Sequence, residues 1–166
     1  MFKIGDYVAH YKEGVCEVID IGKLDMRCSD KNKEYYTLKP LYDVGGTVYT
    51  PVDNEIRQIR GIISAEEAKE LMDHLREVKD LQILDEKKRE ALYKEALLSN
   101  QCQNWAAVIK TTYSRRKKRL SCGKKAVGLD ERYLVIAERF LTGELAAALE
   151  VPRDKVKEYL VEKIND

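Results

Sequence analysis

The stretch Ser64–Leu75, SAEEAKELMDHL, divides the sequence into a β-strand part and a helical part. Ser64 and Glu67 have the three-residue spacing of a capping box, in which each side chain binds the other residue's backbone N–H at a helix start. Apolar residues then recur at the spacing of one helix face: Ala68, Leu71, Met72 and Leu75. We therefore predict a helix that begins after Ser64 and runs to about Lys79.

Residues 1–60 carry the pattern of short β-strands separated by turns. The predicted strands are Tyr7–Ala9, Gly14–Ile21, Glu34–Lys39 and Thr47–Thr50. The turn Asp43–Gly46 joins the last two strands, and Pro51 ends the fourth because proline has no N–H for a strand ladder. Several short strands with frequent turns predict a small barrel or a strongly bent sheet.

Residues 61–166 predict an all-α module of four to five helices. A second helix starts near Asp85 and is broken at Ser99-Asn100. A third helix runs from about Gln101 and ends in a basic cluster. Trp105 lies on the apolar face of this helix, so we expect it to be buried rather than to stack on a nucleic-acid base.

The fourth helix is predicted to be capped by Asp130 and to stop at Val151-Pro152. A proline at a first helical position then starts a short last helix that ends near Ile164. The predicted fold class is α+β: a small β-barrel module at residues 1–60, followed by the helical module at 61–166.

Residues 113–125, YSRRKKRLSCGKK, contain seven basic residues and no acidic one. The whole chain has 30 Lys+Arg and 29 Asp+Glu, so the rest of the chain carries 23 basic and 29 acidic residues. Dense Lys/Arg is typical of a contact with a phosphate backbone, because each neutralised phosphate releases counterions. A solvated helix end is the alternative. The candidate DNA-binding residues are Arg115, Arg116, Lys117, Lys118, Arg119, Lys124 and Lys125, with Lys88 and Arg89 on the second helix.

Residues 144–160, ELAAALEVPRDKVKEYL, form a second DNA-binding candidate because they have the look of a helix-turn-helix. Glu150 stands at the turn, where glycine would help. The second helix of this motif carries three basic residues (Arg153, Lys155 and Lys157) but also acidic residues that oppose phosphate. We therefore favour two helices that simply pack together.

The sequence shows no pattern of a metal site or an enzyme. The four cysteines, Cys16, Cys28, Cys102 and Cys122, are far apart, and only two histidines could join them. There is no glycine-rich phosphate loop and no nucleophile–base set. We expect reduced cysteines, with Cys16 and Cys102 in the core, and a protein that is not an enzyme, with no cofactor and no small-molecule substrate.

No apolar run approaches the roughly 18–20 residues of a membrane span. The first ten residues, MFKIGDYVAH, do not have the pattern of a signal peptide. We therefore expect a cytoplasmic protein with no membrane partner.

Four stretches near the N-terminus point to a known family: Phe2–Val8, Gly14-Val15, Glu34–Lys39 and Val48–Asn54. The helical pattern and Leu141–Ala146 extend the likeness to nearly the whole chain. These features resemble the CarD/CdnL family of bacterial RNA polymerase-binding transcription regulators. The resemblance implies a Tudor-like or SH3-like N-terminal module, similar to that of the transcription-repair coupling factor. It also implies a helical module placed against promoter DNA at the upstream edge of the transcription bubble.

The resemblance also implies a contact with the β subunit of RNA polymerase. The residues it assigns to this contact are Lys23, Thr47, Val48, Tyr49 and Thr50, where a sheet edge can pair with a strand of the partner. Well-known family members carry a tryptophan wedge before an arginine pair in the second helix of the helical module. Ile83–Arg89 here reads ILDEKKR, with basic residues but no tryptophan. We therefore expect only a weak, phosphate-directed contact with promoter DNA.

Together these observations predict a transcription regulator that docks on RNA polymerase and modulates the stability of the promoter open complex. Two alternatives remain open. One is a free-standing helix-turn-helix repressor that uses residues 144–160. The other is a polymerase adaptor that makes no DNA contact.

Overall fold

The computed structural model describes residues 1–43, 45–53 and 57–165. The chain divides into two compact units, Met1–Ile62 and Ile63–Asp166. Within the described residues, strands occur only in the first unit and α-helices only in the second, which confirms the predicted α+β class. None of the helices in these ranges is both long enough and apolar enough to cross a membrane.

The N-terminal unit is a curled antiparallel half-barrel, with five strands in the part of the chain that the structure describes. The strands are β1 (Tyr7–His10), β2 (Gly14–Gly22), β3 (Tyr35–Pro40), β4 (Val48–Pro51) and β5 (Ile59–Gly61). Their order in the sheet is β4-β3-β2-β1-β5, so β4 and β5 form the two edges. The four predicted strands are confirmed, with small shifts of their ends. The fifth was missed because three residues are too few to show an alternating pattern.

Side chains along a strand point alternately to the two faces of the sheet, and those on one face form the core of this unit. Val8, Val18, Tyr36 and Leu38 are buried together on one face of the sheet. The register between β2 and β3 shifts just after Val18, which opposes Leu38. This β-bulge inserts an extra residue, so that Ile19 and the residue after it are both exposed.

His10 holds the turn between β1 and β2. Its Nδ1 accepts hydrogen bonds from the backbone N–H groups of Lys12 and Glu13, at 3.3 and 3.2 Å. Burial lowers the pKa of His10, because the charged form is less well solvated inside the protein. A neutral His10 therefore has the free acceptor that the turn needs, and this is a structural role.

The second unit contains five α-helices over its described residues: α1 (Ala65–Asp73), α2 (Arg89–Leu98), α3 (Cys102–Ser121), α4 (Gly128–Leu149) and α5 (Arg153–Asn165). The capping box is confirmed: Ser64 Oγ accepts from the N–H of Glu67 at 3.1 Å, and Glu67 Oε2 accepts from the N–H of Ser64 at 2.8 Å. The first helix ends at Asp73 rather than near Lys79. A short 3₁₀ helix, Leu75–Glu77, follows it.

Trp105 lies in the core of the helical unit, as predicted. Only 1% of its surface is exposed. Its ring packs against Phe140 of α4, with 5.3 Å between ring centroids, and its Nε1–H donates to the carbonyl of Leu97 at 3.2 Å. Trp105 thereby joins α2, α3 and α4. Cys16 and Cys102 are buried as expected, and none of the four cysteines forms a disulfide bond.

The prediction that Asp130 caps the fourth helix is wrong. The helix begins two residues earlier, at Gly128, and Asp130 lies in its first turn with 3% of its surface exposed. The third helix is longer than the apolar pattern alone indicated, because it continues through the arginine and lysine cluster to Ser121. The two helices therefore bring Asp130 and the cluster side by side.

Glu150 ends α4 in the left-handed conformation, with φ 55° and ψ 43°. The next residue, Val151, donates its N–H to the carbonyl of Ala146 at 3.1 Å, which completes the helix end. A left-handed conformation costs a residue with a Cβ roughly 1–2 kcal/mol, and glycine avoids most of this cost.

We predict that Glu150→Gly raises the free energy of unfolding of the helical unit by about 0.5–1 kcal/mol. The measurement is urea unfolding followed by the fluorescence of Trp105, which is the single tryptophan of the chain. Glu158→Gly in the interior of α5 is the control and should lower stability by about 1 kcal/mol. A lower midpoint for Glu150→Gly would contradict the prediction.

Candidate functional site

Strand β4 forms an edge of the sheet and contains three of the residues assigned to the polymerase contact. Among the described residues it pairs with β3 alone, with Thr50 opposite Tyr36 and Val48 opposite Leu38. The N–H of Val52 donates to the carbonyl of Glu34 at 3.0 Å, which sets the phase of the ladder. Hydrogen-bonded and non-hydrogen-bonded pairs alternate in an antiparallel ladder. The backbone N–H and carbonyl of Tyr49 therefore point away from β3, toward the open edge.

The side chains of the predicted polymerase-contact residues differ in exposure. Tyr49 is 39% exposed, and its hydroxyl accepts a hydrogen bond from Thr47 Oγ1 at 3.1 Å. Thr50 is fully buried, so its side chain faces the core and not a partner. Val48 is half-buried against the core. Lys23 is exposed and follows the end of β2. The outward surface of β4 thus consists of its backbone edge, Thr47 and Tyr49.

The basic residues of 113–125 are of two kinds in the folded helical unit. The first kind are arginines whose side chains bond to other parts of the protein, and the second kind are exposed lysines. Arg115 belongs to the first kind, because each of its three guanidinium nitrogens has a protein partner. Its Nε donates to Oδ2 of Asp130 at 3.0 Å, and its Nη1 and Nη2 donate to the two carboxylate oxygens of Glu86 at 3.0 and 3.1 Å. Burial opposes the charge of Arg115, but these hydrogen bonds outweigh it and raise the pKa of the guanidinium.

Asp130 is the centre of this cluster. Its Oδ1 accepts from the hydroxyl of Tyr93 at 2.8 Å and lies 3.1 Å from Nε of Arg89, a contact that is an ion pair without hydrogen-bond alignment. The Arg89 side chain is only 12% exposed and also pairs with Glu86. Burial, followed by the hydrogen bond to Asp130, raises the pKa of Tyr93. The carboxylate of α4 therefore joins α2 and α3.

The side chain of Arg116 is also paired with a carboxylate of the protein. Its Nε donates to Oε1 of Glu131 at 2.7 Å, and its Nη2 donates to the other oxygen of the same carboxylate. The guanidinium lies 5.1 Å from the ring centroid of Tyr113. Tyr113 in turn donates its hydroxyl to Glu138 at 3.0 Å, and its burial raises its pKa to about 12.

Arg119 positions the loop that follows α3. Its Nε donates to the carbonyl of Lys125 at 2.7 Å, and its own carbonyl accepts from the N–H of Lys124 at 2.9 Å. Gly123, with φ 72°, makes the reversal of the chain possible. Lys124 and Lys125 are therefore held against the end of α3.

The second kind of residue is the lysine. Lys117, Lys118, Lys124 and Lys125 are exposed, and none of them pairs with an acidic group of the described residues. Lys88 is also exposed and without such a pair. We define the lysine surface as Lys117, Lys118, Lys124 and Lys125. Together with Arg119, whose Nε donates to a backbone carbonyl, it keeps the unneutralised positive charge of the segment, and it contains no buried lysine.

The second DNA-binding candidate, residues 144–160, is built as two packed helices. Val156 and Leu160 of α5 are buried, and Glu150, which stands where glycine would help the turn, adopts the left-handed conformation. Lys155 and Lys157 are exposed on α5, where Lys157 lies 4.0 Å from the carboxylate of Glu138. These contacts agree with packing and do not favour a recognition helix.

Sequence reasoning missed the carboxylates that hold the arginines. Glu86, Asp130 and Glu131 lie 29, 15 and 15 residues from their arginine partners, so no local pattern could pair them. The sequence contained one clue to these ion pairs: acidic residues stand at the starts of two helices, and the helix between them in the chain is strongly basic. The structure places Arg115 and Arg116 in interhelical ion pairs, whereas the lysines of the same segment remain open to a partner.

Residues 2–63 match the family model of the CarD-like/TRCF RID domain. The N-terminal unit is a CarD-like/TRCF RID domain. RID domains of this type are regulatory RNA polymerase-interacting domains of transcription factors and not catalytic ones. The match ends where the helical unit begins, so the resemblance over residues 64–166 stays a prediction. A search of curated proteins gave no match to this chain.

We predict that Asp130→Ala lowers the free energy of unfolding of the helical unit by roughly 3 kcal/mol, because it leaves Arg89, Arg115 and Tyr93 without their shared partner. The readout is urea unfolding followed by Trp105 fluorescence. Glu131→Ala is the matched control, since it removes a more exposed ion pair and should cost no more than about 1 kcal/mol. Equal losses for the two variants would show that Asp130 has no central role.

Proposed function

We propose that this protein is a transcription regulator that binds the β subunit of RNA polymerase through the open edge of β4 and contacts promoter DNA weakly through the lysine surface. The observation that supports this best is the division of the molecule into an RID domain and a helical unit that carries seven basic residues and no acidic one over residues 113–125. The RID domain supports the polymerase contact. The unneutralised lysines support the DNA contact.

The edge of β4 supports binding by strand addition. In that mode, main-chain hydrogen bonds supply affinity and the outward side chains supply specificity. Tyr49 offers both, since its backbone N–H points toward the open edge and its ring is partly exposed. Thr50 offers a partner neither its side chain, which is buried, nor its backbone, whose N–H and carbonyl face β3 in a hydrogen-bonded pair with Tyr36.

We predict that Tyr49→Pro weakens binding to RNA polymerase at least about tenfold, because it removes an outward N–H from the edge. The β3–β4 ladder should survive, because the N–H of Tyr49 is not part of it. Tyr49→Ala is the control: it removes the ring but keeps the N–H, and it should weaken binding less than Tyr49→Pro. Binding of both variants to purified polymerase is measured by biolayer interferometry. Equal affinities for Tyr49→Pro and wild type would exclude strand addition at β4.

The lysine surface suits a weak, sequence-independent contact. An ammonium group is a compact point charge that attracts phosphate without reading bases. Four such groups held at one helix end match a phosphate backbone, and their contribution should fall steeply with salt. Arg115 and Arg116 add little to this contact in the free protein, because Glu86 and Glu131 occupy them.

Tethering to polymerase makes such a weak contact effective. Once the RID domain is bound, the lysine surface meets promoter DNA at a high effective concentration. The contact changes the equilibrium between open and closed promoter only by the difference in its affinity for the two states. A difference of about 1.4 kcal/mol changes the ratio of open to closed complexes tenfold.

We predict that the wild-type protein changes the lifetime of polymerase–promoter open complexes after competitor challenge. Two double variants should each reduce this change and keep their affinity for polymerase: Lys117→Gln/Lys118→Gln and Lys124→Gln/Lys125→Gln. The reason is that each pair removes two charges from the lysine surface.

The matched control for this experiment is Lys155→Gln/Lys157→Gln on α5, which removes the same charge from the candidate helix-turn-helix. If only the control loses the effect, residues 144–160 form the DNA contact. If no lysine pair matters but polymerase binding persists, the protein is an adaptor without DNA contact.

A further inference from the structure

Glu86 covers the part of Arg115 that is best suited to bind a phosphate. The Nη1–Nη2 edge of the guanidinium points at both oxygens of the Glu86 carboxylate, at 3.0 and 3.1 Å. On the other side of the guanidinium, Nε is fixed by Asp130 at 3.0 Å. The Glu86 side chain is 63% exposed and that of Arg115 is 24% exposed. The covering group therefore lies on the surface, and the arginine lies just beneath it.

The two-oxygen geometry of this pair is also the geometry of an arginine–phosphate contact. A guanidinium binds carboxylate and phosphate alike, through two parallel N–H···O bonds. A phosphate that displaced Glu86 would find the fork already oriented, since Asp130 would still hold Nε and Arg89 would keep its ion pair with Asp130. Opening the fork requires the Glu86 side chain to turn away, which also breaks its ion pair with Arg89.

We infer that the Nη edge of Arg115 is a phosphate-binding site for nucleic acid, and that Glu86 blocks it in the free protein. The blocked state keeps affinity for free DNA low, so that only a tethered DNA backbone competes effectively with the carboxylate. This inference rests on the DNA contact of the proposed function. It adds Glu86 as a residue that lowers the affinity of the free protein for DNA.

The surroundings of Glu86 supply a reason for phosphate to enter there. Glu86 begins a single 3₁₀ turn, Glu86–Lys88, whose other two residues are exposed lysines without an acidic partner in the described chain. Hydrogen bonding to Arg115 lowers the pKa of Glu86, so the blocking group stays charged at neutral pH. Removing its charge leaves Arg115, together with Lys87 and Lys88 that follow Glu86 in the chain, as the basic groups at this position.

The test is Glu86→Gln, which keeps the shape of the side chain and removes its charge. Binding of the full chain to a fluorescent double-stranded DNA of mixed sequence is measured across a salt series without polymerase. We expect affinity at low salt to rise about fivefold, as expected for one added charge-assisted contact. The slope of log K against log salt should steepen by about 0.9, which corresponds to one more phosphate neutralised.

The matched control is Glu95→Gln on α2. It makes the same change in net charge, and its carboxylate has no ion-pair or hydrogen-bond partner among the described residues. A second variant, Glu86→Gln/Arg115→Lys, keeps a positive charge beside Asp130 but removes the fork, so the gain should disappear. Trp105 fluorescence verifies that each variant is folded.

Two results would overturn the inference, and they separate it from the proposed function. If wild type binds DNA and Glu86→Gln binds no better than Glu95→Gln, then Arg115 is only structural and the lysine surface remains the contact. If none of these proteins binds DNA even at low salt, the DNA contact of the proposed function fails as well.

Discussion

The helical unit depends on one buried carboxylate. Asp130 is 3% exposed and binds Arg89, Arg115 and Tyr93, which come from the two helices that pack beside it. A buried charge without partners is strongly unfavourable, so the three helices are favoured only in the arrangement that brings these groups together. Trp105 fills the apolar core of the same arrangement. The direction in which α3 presents its basic end follows from this constraint.

This arrangement divides a uniform basic run into groups with different roles. Arg115 and Arg116 neutralise carboxylates on neighbouring elements, and Arg119 fixes the following loop through a carbonyl. The lysine surface, with Arg119, carries the charge that remains. The arginines have the forked donors that a carboxylate needs, and the flexible lysines project into solvent, so the chemistry of each side chain agrees with its position.

In the RID domain the comparable constraint is the order of the strands. Placing β4 at the edge leaves the outward N–H of Tyr49 without a neighbouring strand, while Thr50 is directed into the core. Val8, Val18, Tyr36 and Leu38 of the three inner strands are buried together on one face and stabilise the centre of the sheet. The surface offered to a partner is the edge that lies outside this centre.

The sequence by itself determined the element types: the capping box at Ser64, four of the strands, the helical pattern, the burial of Trp105 and the end of the fourth helix at Val151-Pro152. These features follow from local spacing and backbone preferences, which a linear pattern contains. It did not reveal the three-residue strand β5, which is too short for a pattern. Only the tertiary structure decided that Asp130 is a buried ion-pair centre rather than a helix cap, and that Glu86 and Glu131 hold two arginines of the basic segment. Those pairs join residues 15 to 29 positions apart, and helix packing alone determines which distant charges meet.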